Sequence, residues 1–261
     1  MIPAPALLEF KAISVMRGTK LALNRLDLVI QSGEHVAILG PNGCGKSTLI
    51  KTITRECYPL SQDGSSLTIM GRRSWNIFDL RSHLGIVAND FEPTRVHELT
   101  GREVVLSGFF SSMGIWPHQH VSPEMRDKAE QVLDWLEALH LGDRPIAEMS
   151  SGEARRIWIG RALVHDPQTL LLDEPTNSLD MRASHEVREM MRKLAQAGTG
   201  ILLVTHHLSE IVPEIGRVIL MRGGTIFADG PKDQVLTLDN LSSVFGVGIE
   251  LAQRNGYYHV W

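Results

Sequence analysis

Three segments of the chain carry the residue types that chemistry on a phosphate needs. Gly40, Pro41, Asn42, Gly43, Cys44, Gly45, Lys46 and Ser47, followed by Thr48, fit the spacing G-x-x-x-x-G-K-[ST]. Glycines at 40, 43 and 45 let the backbone turn its N–H groups inward around an anion, and a helix behind them adds the positive end of its dipole. Lys46 is placed to reach the terminal phosphates, and Ser47 offers a hydroxyl to Mg²⁺, which prefers hard oxygen ligands. The second segment runs Leu170, Leu171, Leu172, Asp173, Glu174 and sets carboxylates at the end of an apolar strand, where ligands gather in parallel sheets. Asp173 is expected to hold Mg²⁺ through water, and Glu174 to orient and partly deprotonate a water attacking a γ-phosphate. The third is Thr205, His206, His207, again at a strand end. One imidazole there, His206, is expected to contact the γ-phosphate, with His207 a bystander.

A further segment, Met149, Ser150, Ser151, Gly152, Glu153, puts small residues before a helix expected over Ala154 to His165, which Asp166 and Pro167 terminate. A helix N-terminus of this kind binds anions. A second anion site is redundant beside the phosphate loop unless it meets a nucleotide held by another subunit.

These segments need a scaffold, and the apolar runs Val36 to Leu39, Leu170 to Leu172 and Ile201 to Val204 suit strands covered on both faces by helices. The fold class is therefore α/β, with a largely parallel sheet. Leu7 to Ile13 and Leu26 to Ile30 read as an antiparallel lead-in, while Arg217 to Met221 and Thr225 to Ala228 flank Gly223 and Gly224 as a hairpin, so the sheet is mixed. From Asn89 to Met149 the strand signal disappears. The clearest element there is a helix expected over Pro123 to Leu141, with Ser122 as N-cap and Gly142 beyond its end. Met125, Ala129, Val132, Leu133, Leu136 and His140 recur along it at helical spacing. The domain reading is a phosphate-loop core at 1–88 and 150–230, a helical subdomain at 89–149 and a C-terminal extension at 231–261.

Composition excludes several classes. The 26 basic and 30 acidic side chains leave a formal charge of −4, which argues against binding nucleic acid by bulk electrostatics. With 43% apolar and 21% charged residues the chain reads as globular. No apolar run approaches the roughly 18 residues a membrane-spanning helix needs. The opening MIPAPALLEF lacks the basic start and apolar stretch of a secretory signal, which points to the cytoplasm. Cys44 and Cys57 have no zinc or CxxC spacing and read as buried free thiols. His118 and His120 lack a third ligand and read as a solvated loop.

Taken together, the motifs resemble those of the ATP-binding subunit of an ABC transporter. The resemblance covers Walker A at Gly40 to Ser47, the signature at Met149 to Glu153, Walker B at Leu170 to Glu174, the D-loop Ser178, Leu179, Asp180, and the switch histidine His206. It implies a homodimer that sandwiches two ATP with Mg²⁺, the Walker motifs of one subunit facing Ser150, Ser151, Gly152 and Glu153 of the other. That arrangement answers the redundancy of the second anion site. It also implies separate transmembrane permease subunits, a location on the cytoplasmic face of the membrane, import as the direction, and no nucleic-acid partner. Val104 to Phe110, Phe245 to Val247 and Tyr257 to Trp261 look most similar to ATPases of iron-complex, haem or cobalamin uptake and to molybdate-associated relatives.

The sequence departs from the family pattern in three places. Arg17 stands where an aromatic usually stacks on adenine; its planar guanidinium stacks with a different electrostatic character. Asn89 replaces the glutamine that contacts Mg²⁺, one methylene shorter. The signature reads MSSGE for LSGGQ, so that Ser151 replaces a glycine and is expected to restrict the backbone. Phe109, Phe110, Ile115 and Trp116 either line a groove for the permease or fill the insertion's own core. Two other functions use a phosphate loop: a soluble ABC ATPase acting in DNA repair or translation, and a small-molecule kinase, which needs neither MSSGE nor His206.

Overall fold

The computed structural model describes residues 5–88 and 98–261. They divide into two compact units, one running to residue 77 and resuming at 200–261, the other covering 78–199. The first unit opens with strands β1 (Leu8–Arg17) and β2 (Lys20–Ile30), paired antiparallel from Leu8 opposite Ile30 to Arg17 opposite Lys20. Both strands outrun the expected spans. Register shifts between Phe10 and Met16 break the strict alternation by which a strand is recognised, so the sequence pattern fades where the pairing continues. Next come β3 (Val36–Leu39), α1 (Lys46–Ile53) and β4 (Ser66–Ile69), the last antiparallel to β1. All four residues of β3 are fully buried, as the continuous apolar run requires.

The second unit begins with α2 (Ile77–His83) and β5 (Leu84–Val87) and continues into α3 (Gly101–Ser107) and α4 (Pro123–Trp135). Ser122 caps α4 as expected, but the helix stops six residues short of Leu141. Glu137 turns into the left-handed region (φ 55°), and the Ala138 N–H reaches back to the Leu133 carbonyl at 2.8 Å, closing a Schellman end. Gly142 keeps a right-handed φ of −55°, and His140 lies exposed in a separate short turn. Then follow α5 (Ser151–Leu163), β6 (Thr169–Asp173) and α6 (Met181–Gln196). Between residues 98 and 149 the described chain forms no strand.

The chain returns to the first unit with β7 (Gly200–Thr205), β8 (Arg217–Arg222) and β9 (Thr225–Pro231). β3 lies between β7 and β8 and runs parallel to both, while β9 is antiparallel to β8. The sheet is thus mixed. α7 (Lys232–Val235), α8 (Leu238–Phe245) and the hairpin β10 (Leu251–Arg254) and β11 (Tyr257–Val260) finish the chain. Tyr258 of β11 is buried, and Lys232 donates to the carbonyls of Pro213 and Gly256, which tie the terminal hairpin to the segment behind β7. Among the described residues no helix is long and apolar enough to cross a membrane.

Candidate nucleotide site

In the first unit, the phosphate loop leaves β3 at Gly40 and enters α1 at Lys46. Its glycines are required by two separate constraints. Gly43 and Gly45 hold φ values of 77° and 114°, in the left-handed region. A side chain on Gly40 would press on the Met221 carbonyl, and one on Gly45 would meet the Ala22 carbonyl at 2.8 Å. The loop is therefore walled by β8 on one side and β2 on the other. Cys44 is buried inside it, and burial pushes its thiol upward. Lys46 is 5% exposed and folds back over the loop, its ammonium donating to the carbonyls of Gly40 (2.7 Å) and Pro41 (3.3 Å). A buried cation held by two carbonyls in a glycine-rich loop at the head of a helix has the charge that suits a polyanion. Ser47 is exposed at the head of α1, while Thr48 is buried one residue on.

The parallel register decides what stands beside that loop. Leu39 of β3 is opposite Thr205 of β7, so Gly40 and His206 leave the sheet at the same end on neighbouring strands, about 4.8 Å apart in strand spacing. His207 is exposed, its ring 3.8 Å from that of His206, and its N–H donates to Thr205 Oγ1. Arg17, the last residue of β1, sits at the hairpin tip and donates from Nη1 to Cys57 Sγ at 3.1 Å. Forty residues separate these two, and no local signal in the sequence announces the pair.

The second unit repeats the logic on a smaller scale. β5 and β6 run parallel with Val87 opposite Leu172, so Asp173 ends β6 at the side of the sheet where residue 88 leaves β5. Asn89 itself lies outside the described residues. Asp173 and Glu174 are half-buried, and Glu174 adopts φ 46°, an uncommon left-handed conformation for a non-glycine. Ser178 is also left-handed (φ 63°), and Asp180 caps α6, accepting the Ala183 N–H at 2.7 Å.

The signature opens α5, with Ser150 as its N-cap. Ser150 Oγ accepts from the Glu153 N–H, and Glu153 Oε2 accepts from the Ser150 N–H, a complete capping box. The Ser150 amide holds the Glu153 carboxyl below the usual glutamate range, and Arg144 at 2.9 Å adds to this. With the third amide of the first turn taken by the cap, those of Ser151 and Gly152 have no partner inside the helix. Ser151 has no left-handed φ, so serine in place of glycine does not strain the backbone there. Gly152 is the constrained position: a Cβ on it would come within 2.6 Å of the Ala183 Cβ in the first turn of α6.

Of the permease-groove candidates, Phe109, Phe110 and Ile115 are half-buried, with the Phe109 ring edge-on to His165 at 5.2 Å, and Trp116 is 49% exposed. His118 and His120 lie exposed in a loop, and Cys44 and Cys57 are free and buried.

The family model for ABC transporters matches residues 23–177, which include the phosphate loop, the signature and Asp173 with Glu174. The chain is 29% identical to the hemin import ATP-binding protein of Bradyrhizobium diazoefficiens, over 98% of this chain and 94% of that one. It is 29% identical to the iron(3+)-hydroxamate import ATP-binding protein of Bacillus subtilis, over 94% and 89%. Among solved structures it matches the dimeric post-hydrolysis state of an ATP-binding cassette bound to ADP and phosphate, with a TM-score of 0.70, 25% identity, and 86% and 98% of the two chains covered. Neither the kinase reading nor the repair or translation reading finds support in these comparisons. On its motifs, its fold and its relatives, the chain belongs to the ABC transporter family, as one of its ATP-binding ATPase subunits.

Proposed function

We propose that two copies of this chain close around two ATP and drive a separate membrane permease that imports an iron complex, the subunit lying on the cytoplasmic face of the membrane. The observation that carries the ATP site is the pairing of Leu39 with Thr205, which brings the phosphate loop and His206 to adjoining strand ends. The direction and the class of cargo rest on the relatives, which are named for hemin and iron(3+)-hydroxamate import.

Within this reading the amides of residues 40–48 and the Lys46 ammonium hold the phosphates, and Arg17 meets the base. Glu174 orients the attacking water and takes its proton, while His206 contacts the γ-phosphate. The amides of Ser151 and Gly152, presented by the Ser150 cap, face the ATP of the partner copy, with Asp180 at the same seam. Ser47 and Asp173 are hard oxygen donors suited to Mg²⁺, with Asn89 as a third candidate, and the bound ion would neutralise phosphate charge. The subdomain at 89–149 is where the permease docks, and the core at 1–88 and 150–230 carries the ATP chemistry.

Glu174→Gln tests the central step. It removes the base and keeps the binding groups, so the variant is expected to run as a dimer with ATP and as a monomer with ADP in size exclusion with light scattering. Monomers under both conditions would overturn the sandwich.

A further inference from the structure

Arg17 occupies a position where a mobile side chain would serve poorly, since a platform for a flat ring gains from being held still. The bond from its Nη1 to Cys57 Sγ pins the end of that side chain, while Nε and Nη2 make no bond among the described residues. The thiol is itself fixed. Cys57 is 8% exposed, and its N–H donates to the Lys51 carbonyl at 2.8 Å, which seats it at the far end of α1, the helix that begins with Lys46. The other side of Arg17 is fixed as well. Arg17 pairs with Lys20 across the hairpin tip, two residues from Ala22, whose carbonyl walls Gly45. The hairpin, which walls Gly45 through Ala22, and α1, which begins in the phosphate loop, thus meet at one guanidinium.

We propose that Cys57 is the positioning residue for Arg17, and that the guanidinium it holds is the surface on which the nucleotide base rests; this builds on the reading of Arg17 given above. Guanidinium stacking requires a π-face and no particular pattern of donors, so the site takes a nucleotide by the flat face of its base and not by the base's hydrogen-bonding edge. Tyr58, 72% exposed and next in sequence, is the competing platform that the test must separate.

Calorimetry on the full chain with ADP and with inorganic triphosphate, which has no base, decides the matter. Cys57→Ala is expected to raise the ADP dissociation constant roughly two- to twelvefold, the effect of freeing one long side chain, and to leave the triphosphate constant unchanged. Cys57→Ser keeps an acceptor and should stay near the wild type. In an Arg17→Tyr background, Cys57→Ala should be silent, because a tyrosine needs no tether there; Tyr58→Ala should be silent throughout. Equal losses for ADP and triphosphate in Cys57→Ala would make Cys57 merely structural and overturn the proposal. A loss on Arg17→Ala with none on Cys57→Ala would overturn it while sparing the role of Arg17. Unchanged ADP affinity in Arg17→Ala would remove that role itself, and the proposal with it.

Discussion

Gly152→Ala isolates one packing constraint at the signature. The new Cβ would lie 2.6 Å from the Ala183 Cβ, where carbon atoms ordinarily rest about 3.5–4.0 Å apart. An overlap of about 1 Å between two helix starts forces them to part, at a cost of about 1–3 kcal/mol. Alanine is the better helix former by up to about 1 kcal/mol, so the net destabilisation is about 0–3 kcal/mol. Ala183→Gly removes the obstructing atom, and the next neighbour of the added Cβ, the Ala183 Cα, is at an ordinary 3.5 Å. Gly152→Ala should therefore become neutral or stabilising in the Ala183→Gly background. The coupling between the two substitutions, read from urea denaturation of the four variants, is expected at about 1–3 kcal/mol. The single variant should also dimerise more weakly with ATP, because parting the helices moves the amides of Ser151 and Gly152. The same loss from Gly152→Ala in both backgrounds would refute the packing argument.

Lys46→Ala should abolish nucleotide binding by calorimetry while leaving the far-UV circular dichroism intact; unchanged affinity would remove the phosphate-loop assignment. Asp180→Ala deletes the cap of α6 and should cost about 1 kcal/mol in urea denaturation, with Asp180→Asn recovering most of it. Glu153 is a carboxyl whose folded value is depressed, so its stabilisation is complete above the unfolded value, about 4.3, and is lost as pH falls through the folded value. Glu153→Gln should accordingly flatten the acid limb of the stability curve, and an unchanged limb in acid titration would contradict the capping box.

The phosphate-loop motif was legible because it is local. G-x-x-x-x-G-K-[ST] encodes a turn, a cradle and a cation within eight residues, and β3, β6 and β7 announce themselves as apolar runs near the expected places. Elements that lack such contrast were harder to see. β4, β5 and α2 are four to seven residues long and carry no strong period, and α4 ends on Glu137, a residue with no marked preference for the left-handed turn it makes.

Sequence alone thus supplied the candidate phosphate-binding groups and the chemistry their types suit, since residue type and near spacing set both. The tertiary structure decided who stands beside whom. That His206 flanks Gly40 follows from a parallel register across residues 39 and 205, that Gly152 is crowded follows from Ala183, and that Arg17 rests on Cys57 follows from the joining of a hairpin tip to a helix end. Such contacts are set by sheet order and helix packing, which the whole chain settles together, and no window of neighbouring residues contains them.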